Sequence, residues 1–309
     1  MEKLVYDIII LGAGPAGLAA AIYAKRSNSK VAIIEKGAPG GKLNLYTKLE
    51  NYPGVTDLSA QDLGYKLYEQ VLGLGIEVAY GDVISVKKDG DLFKIETDEG
   101  LIESKTVIVA TGTSEKKMGI PGEEQFVGRG VSYCATCDGA FFKGQDVAVI
   151  GHSGKAVEES IFLATLVRTV YIVSRGDKLM ATPALSERLK DYPNIVHIKN
   201  TIPFQILGDK TVTGINLRGS TEQLLPVSAV FPFIGSVPNT SFITFAETLD
   251  ANGYLICNGN METSVPGLYG AGDVIVKSLR QIVTATSDGA LASFNANKFI
   301  RKLAAVSNE

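Results

Sequence analysis

Apolar positions along the chain fall into short runs that stop at glycine. Residues 7–11 form one such run and end at Gly12-Ala13-Gly14-Pro15-Ala16-Gly17, after which an alanine-rich stretch, Leu18 to Arg26, suits a helix packed closely on a sheet. Lys30 to Glu35 follow as a second strand with an acidic residue at its end. Val107 to Ala110 read as another buried strand, which stops at Thr111-Gly112 before a polar, turn-rich stretch through Pro121 and Gly122. The first pattern then repeats: a strand over Val147 to Ile150, the loop Gly151-His152-Ser153-Gly154-Lys155-Ala156, a helix from about Val157 to Leu166, and a strand over Thr169 to Val173. A second turn-rich crossing lies at Phe231 to Asn239, and an amphipathic stretch from Gln281 to Leu303 closes the chain.

Two strand–loop–helix–strand units in 309 residues predict an α/β protein with two Rossmann-like, three-layer dinucleotide-binding domains, the second inserted into the first. The boundaries expected are 1–113 and 243–309 for the first domain and 114–242 for the insertion. In the first loop Gly12 allows the tight turn, Gly14 lets backbone approach a pyrophosphate, and Gly17 lets helix pack on strand. Glu35 stands where an acidic residue accepts hydrogen bonds from ribose hydroxyls.

Cys134-Ala135-Thr136-Cys137 permits three readings. A zinc site needs a full tetrahedral ligand set, and Cys257, His152 and His197 show no ligand spacing to complete one. Inert buried thiols are the second reading. Redox chemistry is the third and the preferred one, since two thiols at this spacing close a small disulfide ring. Asp138, next in sequence, is then either the acid and base that moves protons or a helix cap. Cys257 alternates with apolar residues over Tyr254 to Cys257 and reads as a small core residue on a strand.

Composition narrows the function. A formal net charge of −3 leaves no basic field for nucleic acid, and no apolar run has the length of a membrane span. With 45% hydrophobic residues the chain buries a large core, and three cysteines are a poor framework for a secreted fold, so a cytoplasmic protein is expected.

Taken in order, the first glycine loop, Gly40-Gly41, Glu50-Asn51-Tyr52-Pro53-Gly54, Ala110-Thr111-Gly112, Tyr133-Cys134-Ala135-Thr136-Cys137-Asp138, Met261 to Pro266, Gly270-Ala271-Gly272-Asp273 and Leu279-Arg280-Gln281-Ile282 resemble the low-molecular-weight thioredoxin reductases over nearly the whole chain. The resemblance implies a homodimeric flavoprotein that reduces thioredoxin or a thioredoxin-like protein. It implies FAD lined by Gly12, Gly14, Pro15, Ala16, Gly17, Glu35, Gly40, Gly41, Asn51, Thr111, Gly112, Gly272, Asp273, Arg280, Gln281 and Ile282. Cys134, Cys137 and Asp138 are the implied catalytic residues, with Cys137 the thiol nearest the flavin; which sulfur attacks the partner stays open.

The second loop departs from the members that use NADPH. Ser153 stands where the pyrophosphate needs bare backbone, and the His-Arg-Arg and later Arg that grip the 2′-phosphate correspond to Ser174-Arg175-Gly176 and Met180. In this respect the chain is similar to family members that take electrons from reduced ferredoxin. NADPH is therefore doubtful, although Lys155, His152 and Lys178 offer substitute positive charge. The alternatives are a conventional NADPH-dependent reductase with a drifted site, and a flavin-binding redox sensor without turnover.

Overall fold

The computed structural model describes residues 5–45, 49 and 51–306. Two compact units divide the chain, one made of Met1–Ser114 with Val237–Glu309 and the other of Glu115–Ser236. Residues 237–242, expected in the insertion, pack within the first unit: Asn239 bonds to Thr111, and Phe242 shares a core with Val86 and Phe93.

The chain begins with β1 (Val5–Leu11), α1 (Pro15–Arg26), β2 (Val31–Glu35), α2 (Ala60–Gly73), β3 (Glu77–Tyr80), β4 (Val83–Asp89), β5 (Leu92–Thr97), β6 (Gly100–Val109) and β7 (Thr113–Glu115). It continues with α3 (Ala135–Asp138), β8 (Asp146–Ile150), α4 (Gly154–Ala164), β9 (Thr169–Val173), α5 (Pro183–Leu189), β10 (Ile195–Ile198), β11 (Ile202–Gly208), β12 (Val212–Arg218), β13 (Glu222–Leu225), β14 (Ala229–Pro232) and β15 (Ser236–Pro238). It ends with β16 (Leu268–Gly270) and α6 (Ile282–Val306).

In the first unit the sheet runs β3-β2-β1-β6-β5-β4, with β16 also pairing β6. β1 lies parallel between β2 and β6, while β4 and β5 form an antiparallel extension. Strand period sends alternate side chains of β1 to opposite faces. Ile8 and Ile10 enter a core with the alanines of α1 and α6, and Ile9 and Leu11 enter another with Val86, Phe93 and Ile95. The face of the sheet opposite the helices is covered by side chains of β4, β5 and the 242–255 segment rather than by helix.

The second unit repeats this plan. A parallel sheet ordered β10-β9-β8-β14 carries α4 on one face, with Val147, Val149, Leu163, Ile172 and Phe231 between them. The antiparallel β11-β12-β13 sheet covers the other, closing over Ala148, Ile150, Val173 and Val230. Both units are thus Rossmann-like, as expected.

Element boundaries differ from the sequence reading where glycine and proline obscure the period. α1 begins at Pro15 rather than Leu18, because proline is tolerated in a first helical turn. α4 begins at Gly154, and the strand expected over Tyr254 to Cys257 is replaced by isolated bridges at Leu255.

α1 and α6 approach closely. A Cβ on Gly289 would stand 2.0 Å from the Ala16 carbonyl oxygen, so only glycine lets α6 reach the start of α1. Gly289→Val should therefore separate the helices at a cost of about 1–3 kcal/mol, measured as a lower thermal midpoint; an unchanged midpoint would contradict this packing.

Candidate functional site

The first glycine loop leaves its helix end bare. Gly12 has φ +101°, and a Cβ there would meet the Ala110 carbonyl oxygen at 2.6 Å, so the turn folds down on the end of β6. Gly14 is the N-cap of α1 and supplies no side-chain cap, and nothing lies within 4 Å of where its Cβ would stand. The first turn of α1 therefore has no side-chain cap, and the positive end of the helix dipole lies at this loop, the arrangement that suits an anion.

Most residues expected to hold the dinucleotide gather at this helix end. Glu35 accepts from the Ala13 and Gly37 amides at 2.6 and 2.7 Å, which fixes its carboxylate beside the loop. Gly40 donates to the Ala13 carbonyl at 2.8 Å, a Cβ on Gly41 would lie 3.1 Å from Gly14 Cα, and a Cβ on Gly272 would lie 2.8 Å from Ala16 Cβ. Asn51 donates to Gln281 across the fold at 2.8 Å, just before Ile282 opens α6. Glu50, quoted in the same motif, lies outside the described residues.

Thr111 and Gly112 are clasped by Asn239, whose Nδ2 donates to the Thr111 carbonyl at 2.9 Å and whose amide donates to the Gly112 carbonyl at 3.0 Å. Arg280 donates to the carbonyls of Asp273 and Ile275 at 3.3 and 3.2 Å, folding the 272–281 loop on itself. Burial pushes the Asp273 carboxyl above its usual range, with Lys42, Lys277 and Arg280 pulling the other way. The sequence reading did not single out Asn239, Lys277 or Asp288. Each acts across long separations that no local period reveals.

In the second unit Cys134 and Cys137 are joined as a disulfide with their Cα atoms 5.3 Å apart. Cys134 caps the single turn of α3: its Sγ accepts from the Cys137 amide at 3.1 Å and lies 3.4 Å from the Thr136 hydroxyl. Cys134 is half-buried and Cys137 exposed. The turn is anchored from behind, because the Tyr133 hydroxyl donates to buried Glu123 at 2.7 Å and Glu123 also accepts from the amides of Met118 and Gly119. Asp138 makes no side-chain cap bond to the 3-10 turn at Gly139–Phe142, so its helix-cap reading has no bond to stand on. Cys257 packs against the first unit's core, and burial pushes its thiol up to about 12.

The second glycine loop is capped by a side chain where the first is not. Ser153 is the N-cap of α4, and its Oγ accepts from the Ala156 amide at 3.4 Å. Met180 donates its amide to the His152 carbonyl at 2.6 Å, drawing the loop after β9 alongside. Lys155, one source of substitute charge, pairs with Glu115 at 2.9 Å and sits 5.1 Å from the Phe233 ring centroid. At the end of β9, Ser174 is buried, donates to the Gly176 carbonyl at 2.8 Å and lies 2.7 Å from His197 Nε2. Arg175 and Lys178 remain exposed.

Glu159 on α4 is 6% exposed, and desolvation raises its carboxyl from 4.5 to about 7, with Lys155 opposing. The folded state therefore holds this proton through a window in which the unfolded chain has released it. Stability falls as pH rises from 4.5 to about 7, by up to about 3 kcal/mol from this group. Glu159→Gln should lose that slope in urea unfolding measured across the window; parallel curves for variant and wild type would contradict it.

Comparison with known proteins places this geometry in a lineage. A family described as "Pyridine nucleotide-disulphide oxidoreductase" matches residues 6–289. The chain is 42% identical to a thioredoxin reductase of Listeria monocytogenes, covering 98% of this chain and 96% of that one, and 44% identical to one of Treponema pallidum, covering 96% and 98%. Among solved structures, the thioredoxin reductase of Lactococcus lactis superposes with a TM-score of 0.93 at 38% identity, covering 96% of this chain and 99% of that one. A ferredoxin-flavin thioredoxin reductase from Clostridium acetobutylicum matches at a TM-score of 0.56 and 30% identity, covering 97% and 99%. A chain with this cysteine pair, this paired fold and relatives this close belongs to the thioredoxin reductases of the pyridine nucleotide-disulphide oxidoreductase family, and it is an oxidoreductase.

Proposed function

We propose that this protein is a homodimeric, cytoplasmic, FAD-dependent disulfide reductase that reduces thioredoxin or a thioredoxin-like protein through Cys134 and Cys137, with a donor other than NADPH, namely reduced ferredoxin. The contrast between the two helix ends carries the reading: Gly14 leaves the amides of α1 bare, whereas the Ser153 hydroxyl takes up an amide of α4. The residues gathered at the first helix end fit FAD. The diphosphate would lie over Gly14, Pro15, Ala16 and Gly17, the ribose at Glu35, and the remainder between Gly40, Gly41, Asn51, Thr111, Gly112, Gly272, Asp273, Arg280, Gln281 and Ile282. When bound, FAD supplies a two-electron reservoir for the cysteine pair.

The rest of the chemistry belongs to the chain. Reduction of the disulfide takes up two electrons and one proton and leaves a thiol at Cys137 and a thiolate at Cys134, which the Cys137 amide and the Thr136 hydroxyl stabilise. That thiolate attacks one sulfur of the partner's disulfide, and the partner's other sulfur leaves and gains a proton. Cys137, deprotonated by Asp138, then displaces the partner from the mixed disulfide, so the partner departs as a dithiol and the Cys134–Cys137 disulfide is restored. Phe141, 77% exposed and close to the pair in sequence, offers apolar surface to a protein partner.

The donor assignment rests on phosphate contacts. Relative to the pattern of NADPH-using members, two arginine contacts are absent, each a charge-assisted bond of about 1.5–3 kcal/mol, so NADPH binding should weaken by about a hundredfold or more. The Clostridium relative bears ferredoxin in its name, which supports the alternative donor. Exposed Arg175 and Lys178 at the end of β9 favour a second reading, a conventional NADPH-dependent reductase.

Two experiments test this. Cys137→Ser should abolish turnover with thioredoxin and trap a mixed disulfide through Cys134; activity equal to wild type would refute the relay. In anaerobic stopped-flow mixing, reduced ferredoxin should bleach the flavin band faster than NADPH at equal concentration, and fast bleaching by NADPH would establish the second reading instead.

A further inference from the structure

Asp288, near the start of α6, joins two parts of the loop that precedes that helix. Its carboxylate accepts from the Gly272 amide at 3.1 Å and forms an ion pair with Lys277 Nζ. The side chains of Lys277 and Asp288 are only 12% and 13% exposed, whereas Lys36 and Asp82 in a surface pair are 74% and 50% exposed. Charges this dry are costly to bury singly, so neither is tolerated without the other.

The pair lies where the first loop and the 272–281 loop meet. Gly272 abuts Ala16 and opens the 3-10 turn Gly272–Val274, which bears Asp273. Val274 and Val276 are held by backbone bonds to Leu255, and the Arg280 guanidinium stacks 4.4 Å from the Tyr254 ring centroid while bonding the Asp273 and Ile275 carbonyls. Asp288 and Lys277 hold the near end of the loop, and Arg280 holds the far end. Lys42, Lys277 and Arg280 act on Asp273 as positive charge and Asp288 as negative charge, against a burial that pushes its carboxyl up.

We infer that Lys277 and Asp288 are positioning residues for FAD: their ion pair fixes the Gly272 amide and the Asp273 turn against the first glycine loop, and keeps the Asp288 charge from opposing an anionic ligand there. The inference rests on the reading of that loop as the FAD site. Neither residue belongs to the set that the family resemblance assigns to the cofactor.

FAD affinity of the deflavinated protein, titrated by flavin fluorescence, is the test. Lys277→Met and Asp288→Ala should each raise the dissociation constant about tenfold or more, the effect of one lost charge-assisted bond. Lys277→Arg, which keeps the charge, should stay within about twofold of wild type, and the double variant should be no worse than the poorer single, because the pair acts as one unit. Should either truncation fail to fold, Asp288→Asn carries the test: it keeps an acceptor for Gly272 but breaks the ion pair, and should still weaken binding. Wild-type affinity in the single variants, or independent and multiplying losses, would overturn the inference. A wild-type protein that binds no FAD would instead sink the reading beneath it.

Discussion

A dinucleotide diphosphate can be bound by bare backbone only where nothing else has taken the amides at a helix end, and that constraint organises the first unit. Gly14 caps α1 without a side chain. Everything nearby is arranged to keep the resulting surface clear and rigid: the Glu35 carboxylate holds the Ala13 amide, Gly40 holds the Ala13 carbonyl, and Gly272 and Gly289 let the 272–281 loop and α6 close on Ala16. The second unit has the same strand–loop–helix plan with a different cap, because the Ser153 hydroxyl accepts from the Ala156 amide at the start of α4.

The cysteines show a similar dependence on local donors. Cys134 Sγ receives an amide and lies beside a hydroxyl, and the Tyr133–Glu123 bond holds the turn that presents it. Cys257, half-buried against apolar side chains, has its thiol pushed up to about 12, so it is held as the neutral thiol at neutral pH. Spacing in the chain made the distinction visible beforehand, and the environment supplies its cause.

Much of the fold was legible because its strands are apolar runs bounded by glycine; β9 spans the expected residues, and β2 and β8 differ only at an edge. The cysteine pair and the gathering of Gly12, Glu35, Gly41 and Gly272 followed from motif order. Helix starts at Pro15 and Gly154 were hidden because the loop residues themselves form the first turn. The missing strand at Tyr254 to Cys257 was misread because alternation also arises in an irregular segment that packs one side on a core. Ser153 was read only for its Cβ, and its hydrogen bond to the start of α4 left no sequence signal. Asn239, Lys277 and Asp288 left no sequence signal, since each depends on a partner that only folding brings near.

The central claim is that one helix end of this chain is open to a dinucleotide and the other is closed. Equilibrium dialysis of the deflavinated protein against labelled FAD and labelled NADPH tests it most directly. One tightly held FAD per chain, with no saturable NADPH at micromolar concentrations, is the predicted result; a second, saturable site that takes up NADPH in that range would contradict it.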